Sequence, residues 1–297
     1  MTAASVTLRD ARADDHDAVR DLCADIWDDR DGDYLPRVYP EWIEGDDKCT
    51  RVAIEDGELV GIIQGVHLSP TESWSQGLRV RADSRGSGIA EALTADIFSW
   101  AASQDSLVTR SMVFSWNSAG MGLARSVGFE PVSSFRFAHP EPRSGRLPDT
   151  VTRDPSMAWQ AWTTSHARSR LAGLALDDQE SWALRELRRT DLDEKCALAV
   201  VDDGIAAMAV RGRAVQSSSE DRPDYLQEYA ASAWRDATAA ETLLEAIAID
   251  AGERGATTVR VVVPEHPRIV SDVAMAGVNI ADEPHFIFSA DLASVSD

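Results

Sequence analysis

The residues whose types and spacing could do chemistry are concentrated in one short run, Arg85-Gly86-Ser87-Gly88-Ile89-Ala90, which follows an apolar strand pattern and precedes a helical one. Its chemistry is that of the backbone. Glycine tolerates close approach and left-handed angles, so successive N–H groups can converge on one point. A helix beginning at Ile89 adds unpaired donors and the positive end of its dipole. That arrangement suits a pyrophosphate; a tight turn that binds nothing has the same composition. Two other phosphate folds fit poorly. A P-loop needs Lys-Ser/Thr after its last glycine, where this chain has Ile89-Ala90. A dinucleotide fold puts its glycines near the start of repeated strand–helix–strand units, whereas here a hairpin and a further strand come first.

Periodicity gives the elements that must hold this run in place. Residues 5–9 alternate as a strand, and Asp14 and Asp15 precede a helical pattern through Val19, Leu22, Cys23 and Ile26. A polar and aromatic stretch with Tyr34, Tyr39 and Trp42 follows. Residues 50–55, the turn Asp56-Gly57 and residues 59–68 read as a hairpin. Residues 74–81 are the strand before the glycines, and Ile89, Leu93, Ile97 and Trp100 recur at helical spacing after them. Next come a strand over 112–116, a short helix over 120–127 closed by Gly128, and a strand over 129–138. Pro140, Pro142, Pro148, Pro155 and Gly145 mark 139–155 as a linker, followed by a helix over 156–171.

The second half repeats the first in outline. Leu8-Arg9-Asp10-Ala11-Arg12 with Asp15 matches Leu184-Arg185-Glu186-Leu187-Arg188 with Asp191. A strand pair around Asp202-Asp203-Gly204, a strand over 225–233, a helix over 239–251, a strand over 258–263, a helix closed by Gly277 and a strand at 285–288 complete the set. The counterpart of the glycine run is Arg235-Asp236-Ala237-Thr238-Ala239-Ala240, with both glycines gone.

Arg85-x-x-Gly88-x-Ala90 resembles the acetyl-CoA signature of the GNAT superfamily, Gln/Arg-x-x-Gly-x-Gly/Ala. Leu78-Arg79-Val80 is similar to the strand whose backbone lies along the pantetheine arm. Asn117 followed by Gly128-Phe129 resembles the family's Asn…Gly-Phe segment. The resemblance covers residues 5–138. It implies an α/β (α+β) fold of two tandem GNAT-like domains, 1–138 and 156–297, each a mixed, mostly antiparallel sheet flanked by helices. It also implies that acetyl-CoA is held by Leu78, Val80, Arg85, Gly86, Ser87, Gly88, Ile89, Ala90 and Asn117. The chemistry implied is direct attack of an amine on the thioester in a ternary complex.

The chain departs from the family pattern at two places. Seven residues after Asn117, where many relatives carry a thiolate-protonating tyrosine, stands Ala124. Gln76 occupies a place where similar sequences often have an acid, and an amide cannot act as base. Glu72 and His67 are the nearest titratable candidates upstream, with a water chain to bulk as the alternative. Tyr34, Tyr39 and Trp42 are the expected acceptor wall. A similarity to histidine N-acetyltransferase-like members points to a small amine or amino acid. The second half, with Asp236 placed to repel a phosphate, is expected to have lost cofactor binding. A non-catalytic acyl-CoA sensor or scaffold is the rival reading.

The bulk composition bounds the rest. The hydrophobic fraction of 44% over 297 residues is that of a globular chain with room for two cores. The start, Met1-Thr2-Ala3-Ala4-Ser5, has no basic region or apolar run, so a cytoplasmic location is expected. A net charge of −21, with Lys48 and Lys195 the only lysines, resembles haloarchaeal proteins. Such a surface repels itself in dilute salt; at molar salt, with a Debye length of about 3 Å, it is screened. The same charge argues against nucleic acid or anionic membrane as partner. Cys23, Cys49 and Cys196 lie far apart, and no His or Cys cluster has metal spacing. The expected partner is a small-molecule or peptide amine, and the expected state a monomer or homodimer.

Overall fold

A computed structural model of the chain describes residues 6–24, 32–193, 195–216 and 224–294. It divides into two compact units. Unit 1 comprises residues 1–112, 117–131 and 288–297, and unit 2 comprises 113–116 and 132–287. Ile26 lies outside the described residues.

Unit 1 opens with β1 (Thr7–Asp10), α1 (His16–Cys23), α2 (Leu35–Trp42), β2 (Lys48–Glu55), β3 (Glu58–Ser69), β4 (Glu72–Val80), α3 (Ile89–Ser103), β5 (Val108–Phe114, as far as Met112) and α4 (Ser118–Ser126). Its strand order is β1-β2-β3-β4-β5. Pairing is antiparallel through β4 and parallel between β4 and β5. Alternate strand residues face opposite sides of the sheet. Val52, Leu59 and Ile62 pack with Val19, Leu22, Leu35, Tyr39 and Trp42 of α1 and α2. Ala53, Val60 and Ile63 pack with Ile89, Leu93 and Ile97 of α3.

The aromatic stretch is therefore a helix. Its prolines hid this, because a proline usually ends a helical pattern. Pro36 sits in the first turn, where no N–H is needed, and Pro40 falls inside an element of only two turns. The fifth strand starts at Val108, earlier than the sequence pattern, because its first residues take their register from β4.

Unit 2 contains β6 (Glu130–His139, from Val132), β7 (Val151–Thr152), α5 (Pro155–Thr164), α6 (His166–Arg170), β8 (Leu174–Leu176), β9 (Leu184–Glu186), β10 (Ala197–Val201), β11 (Ile205–Gln216), β12 (Tyr225–Trp234), α7 (Ala237–Glu253), β13 (Thr258–Pro264), α8 (Pro267–Met275) and β14 (Asn279–Ile280). Its order is β6-β13-β12-β11-β10-β7. The last strand, β15 (His285–Asp291), begins in unit 2 and ends in unit 1.

The duplication extends to side-chain bonding. Arg9 grips Asp15 with two bonds of 2.7 Å, and Asp15 accepts the Arg12 N–H at 2.8 Å. Arg185 donates to Asp191 at 2.9 Å, and Asp191 accepts the Arg188 N–H at 2.7 Å.

The expected linker over 139–155 is a packed part of unit 2. Val151–Thr152 pairs with β10, and the Arg143 N–H donates to the Ala248 carbonyl of α7 at 3.0 Å. Arg153 donates to the buried Asp250 at 2.6 Å. Proline-rich composition predicted a free linker because it reports backbone stiffness and not what the backbone rests on. The expected helix over 156–171 is two helices, split at Ser165, which leaves helical geometry and caps α6 through the Arg168 N–H.

Candidate functional site

The site of unit 1 is built around β4. Its pairing with β5 stops at Trp74 and Arg110, although β4 continues to Val80. The two strands therefore part over Ser75–Val80. On the other side Gln76 and Arg79 stay in register with Gln64 and Ile62. Gly77 and Leu78 thus oppose Ile63 alone, which is a β-bulge. Gly77 has φ +65°, and a Cβ there would lie 2.1 Å from the Trp42 ring. The bulge, with half-buried Leu78 and Val80 on either side of Arg79, leaves β4 backbone groups outside the β3 ladder.

The glycine run follows directly. Ser84 is buried and donates to Glu55 at 3.0 Å, and Ser87 donates to the Ser84 carbonyl at 2.6 Å, which fixes the turn. Gly86 (φ +77°) and Gly88 (φ +85°) are left-handed, and Gly88 caps α3 without any side-chain hydrogen bond. The first-turn N–H groups, including those of Ile89 and Ala90, thus point out of the helix end uncapped. Arg85 is exposed, with its Nε donating to the Val80 carbonyl at 3.2 Å. These features fit an anionic group at the end of α3.

Several expected site residues have other roles. Asn117 caps α4, its Oδ1 accepting the Gly120 N–H at 2.8 Å. Glu72 is buried at the closed end of the β4/β5 pair, accepting from Arg110 at 2.5 Å and from Ser69 at 2.9 Å. His67 pairs with Ser73 at that same end, 3.4 Å from the Ser106 hydroxyl. Neither is on the parted stretch of β4. Tyr39 is 1% exposed and its hydroxyl donates to the Arg12 carbonyl at 2.7 Å. Burial pushes its phenol up to about 12. Trp42 is a core residue over Gly77. Of the aromatic trio only Tyr34 offers its ring to solvent, at 38% exposure. Burial raises all three thiols, Cys23 and Cys49 to about 12, so none is poised as a thiolate nucleophile.

Sequence reasoning missed the polar groups behind the bulge. Arg79 is bidentate on Asp33, at 2.6 and 3.1 Å, with both side chains buried. Burial opposes the Arg79 charge, and the Asp33 carboxylate overrides it and raises its pKa. Gln64, fully buried, accepts from Gln76 at 2.7 Å and donates to the Trp42 carbonyl at 3.0 Å. The available signal was a charged residue between two apolar ones in Leu78-Arg79-Val80, on the sheet face lined by α1 and α2.

Residues 16–129 match the model of the acetyltransferase (GNAT) family. That stretch is under half of the chain, and the likeness is a likeness of this stretch. A comparison with curated proteins finds no match. Solved structures are similar in fold. A GCN5-related N-acetyltransferase from Sphaerobacter thermophilus is 13% identical, with a TM-score of 0.59 over 97% of this chain and 96% of its own. A tandem GNAT protein from the clavulanic acid biosynthesis pathway is 14% identical, with a TM-score of 0.52 over 97% of this chain and 99% of its own. A putative acetyltransferase from Thermoplasma acidophilum is 14% identical, with a TM-score of 0.50 over 94% and 89%. The matched stretch joins a bulged, parted β4 to an uncapped helix end within one unit.

The corresponding junction in unit 2 is built differently. Only Arg235 separates β12 from Asp236, and Asp236 caps α7 through the Ala239 N–H at 2.9 Å. Asp236 therefore stands where Gly88 stands, two residues from the register of the motif alignment, because the connection from strand to cap is shorter.

Proposed function

We propose that unit 1 is an acetyl-CoA-dependent N-acetyltransferase acting on a small-molecule or peptide amine. The observation that supports it is the pairing of a parted β4 edge, able to hydrogen-bond an extended pantetheine arm, with uncapped helix N–H groups for the pyrophosphate. The cofactor contacts would come from Leu78, Val80, Arg85, Gly86, Ser87, Gly88, Ile89 and Ala90. Asn117 would shape the next helix rather than touch cofactor. The amine nitrogen attacks the thioester carbon; the C–N bond forms, the C–S bond breaks, and the electron pair leaves on sulfur. A backbone N–H near Val80 would hold the developing oxyanion. With Glu72 and His67 at the closed end, the ammonium proton goes to solvent. With Ala124 in place of a phenol, water protonates the thiolate. Proximity then supplies most of the acceleration.

Unit 2 would no longer bind cofactor, which its filled cap supports. The acidic surface fits a cytoplasm of high salt, and full stability in salt-free buffer would argue against that. One observation favours a second reading, an acyl-CoA sensor: Ala124 leaves no general acid at that place. Thiol release from acetyl-CoA across an amine panel at molar salt separates the two. Release with at least one amine is expected. Binding without release for any amine would leave the sensor.

A further inference from the structure

The bulge that would meet the thioester is tied to both ends of one helix, and this goes beyond the donor site itself. Two polar side chains flank Gly77 and Leu78 on β4, Gln76 before them and Arg79 after. Both reach to the sheet face that carries α1 and α2. Arg79 grips Asp33, whose Oδ1 also accepts the Leu35 N–H at 3.0 Å, the first residue of α2. Gln76 donates to Gln64, and Gln64 donates to the carbonyl of Trp42, the last residue of α2. Thr50 donates to that same carbonyl at 2.7 Å. Between the two tethers the Trp42 ring lies on Gly77.

Tyr34 immediately precedes α2. The Arg79 guanidinium lies 5.7 Å from its ring centroid, and the Trp42 ring lies 6.3 Å away in an edge-on arrangement. The exposed ring is thus held by the same two residues that hold the bulge. Gln64, Thr50, Asp33 and Arg79 are buried side chains. In a low-dielectric setting their hydrogen bonds are strong and a lost partner is costly. A shift in the bulge would pull on both ends of α2 through these bonds.

We infer that α2 is a positioning device for the acceptor: the Arg79–Asp33 and Gln76–Gln64–Trp42 tethers transmit occupancy of the β4 bulge to Tyr34. The inference rests on the donor-site reading above. Asp33, Gln64, Gln76 and Arg79 act through other residues and are positioning residues.

Amide hydrogen exchange of the full chain tests this without knowledge of the acceptor. Residues 33–42 of the native protein are expected to gain protection when acetyl-CoA is added at saturation. In Gln76→Ala and Arg79→Lys, compared with their own ligand-free states, that gain is expected to vanish while calorimetry still registers acetyl-CoA binding. Gln76→Ala leaves the ion pair intact and guards against a variant that does not fold. Bound acetyl-CoA with no added protection in the native protein, or a gain that persists in both variants, overturns the coupling. No acetyl-CoA binding to the native protein overturns the donor site instead, and the coupling with it. With any amine that turns over, Arg79→Lys is expected to raise acceptor KM about tenfold and acetyl-CoA KM less than about twofold; equal rises would mark a merely structural pair.

Discussion

The two strand-to-helix junctions, β4 to α3 and β12 to α7, are the same piece of fold used in opposite ways. In unit 1, residues 81–87 intervene, the cap is a left-handed glycine, and the N–H groups are left open. In unit 2 only Arg235 intervenes, and a carboxylate takes the N–H groups for itself. The adjoining strand pairs differ likewise. Pairing of β12 with β13 ends at Tyr229 and Val261, but the buried Ser232 hydroxyl then donates to the Val262 carbonyl at 2.7 Å. That bond joins β12 to β13 beyond the end of their ladder, whereas β4 and β5 part beyond theirs. Where unit 1 has α1 and α2, unit 2 reaches β10 soon after Asp191 and packs α5 and α6 against β10–β12. On the proposed reading a binding site is a set of unsatisfied backbone groups, and satisfying them locally leaves the same fold as a scaffold.

The largest effect expected is on that scaffold. Asp250 is fully buried and accepts from Arg153, Arg211 and Tyr229, at 2.6, 2.9 and 2.6 Å. Burial opposes its charge, and these donors, Arg211 first, hold its carboxyl below the ordinary value. Asp250→Ala should cost about 3–5 kcal/mol in denaturant unfolding, since it takes the carboxylate from the buried Arg211 guanidinium. Acetyl-CoA affinity at temperatures where the protein stays folded should not change. A loss of affinity there would break the contrast between site and scaffold.

Next is Gly88→Asp, which copies the unit 2 cap into unit 1. It adds strain at φ +85° and a carboxylate where a pyrophosphate would sit. Calorimetry should register a loss of about a hundredfold in acetyl-CoA affinity, near 2.7 kcal/mol. Asp236→Gly is the mirror experiment, and it should leave the stoichiometry at one, because the loop is missing as well as the glycines. Two molecules bound per chain would end the scaffold reading.

A smaller effect concerns His285, which burial pushes down to about 4. Its ring stacks on Phe135 at 5.0 Å and meets Phe137 and Trp182 at 5.5 Å. The folded protein keeps it neutral, while the unfolded chain takes a proton below about 6.5. Stability from this group is therefore complete above that pH and is lost as pH falls towards 4, by about 2 kcal/mol. His285→Phe should flatten that slope in a pH series of melts. The smallest effect is Ser232→Ala, about 1 kcal/mol of stability with no new cofactor site.

The strand–helix order, the hairpin and the duplication were legible because alternation and helical spacing survive in both halves. The glycine run was legible because it needs three residue types at fixed spacing. The α2 helix was not, since Pro36 and Pro40 mask a short helix that tertiary packing of Leu35, Tyr39 and Trp42 holds together. Glu72 and His67 looked available because chain position says nothing about which end of a strand pair is closed. Asp33 and Arg79 are far apart in sequence, and no local pattern announces a buried pair. The exchange at β15 is invisible for the same reason, as alternation tells which face a residue takes and not which strand it lies beside.

That exchange has a consequence for synthesis. Residues 288–297 belong to unit 1, where Leu292 is 2% exposed and its N–H donates to the Leu107 carbonyl at 3.0 Å. On the ribosome, the segment carrying the glycine run emerges early and waits for these residues until all of unit 2 has been made. A chain ending at Ile287 should stay protease-sensitive within residues 1–112. Vectorial translation would thus act as a check on the product, since only a chain read through unit 2 could complete unit 1.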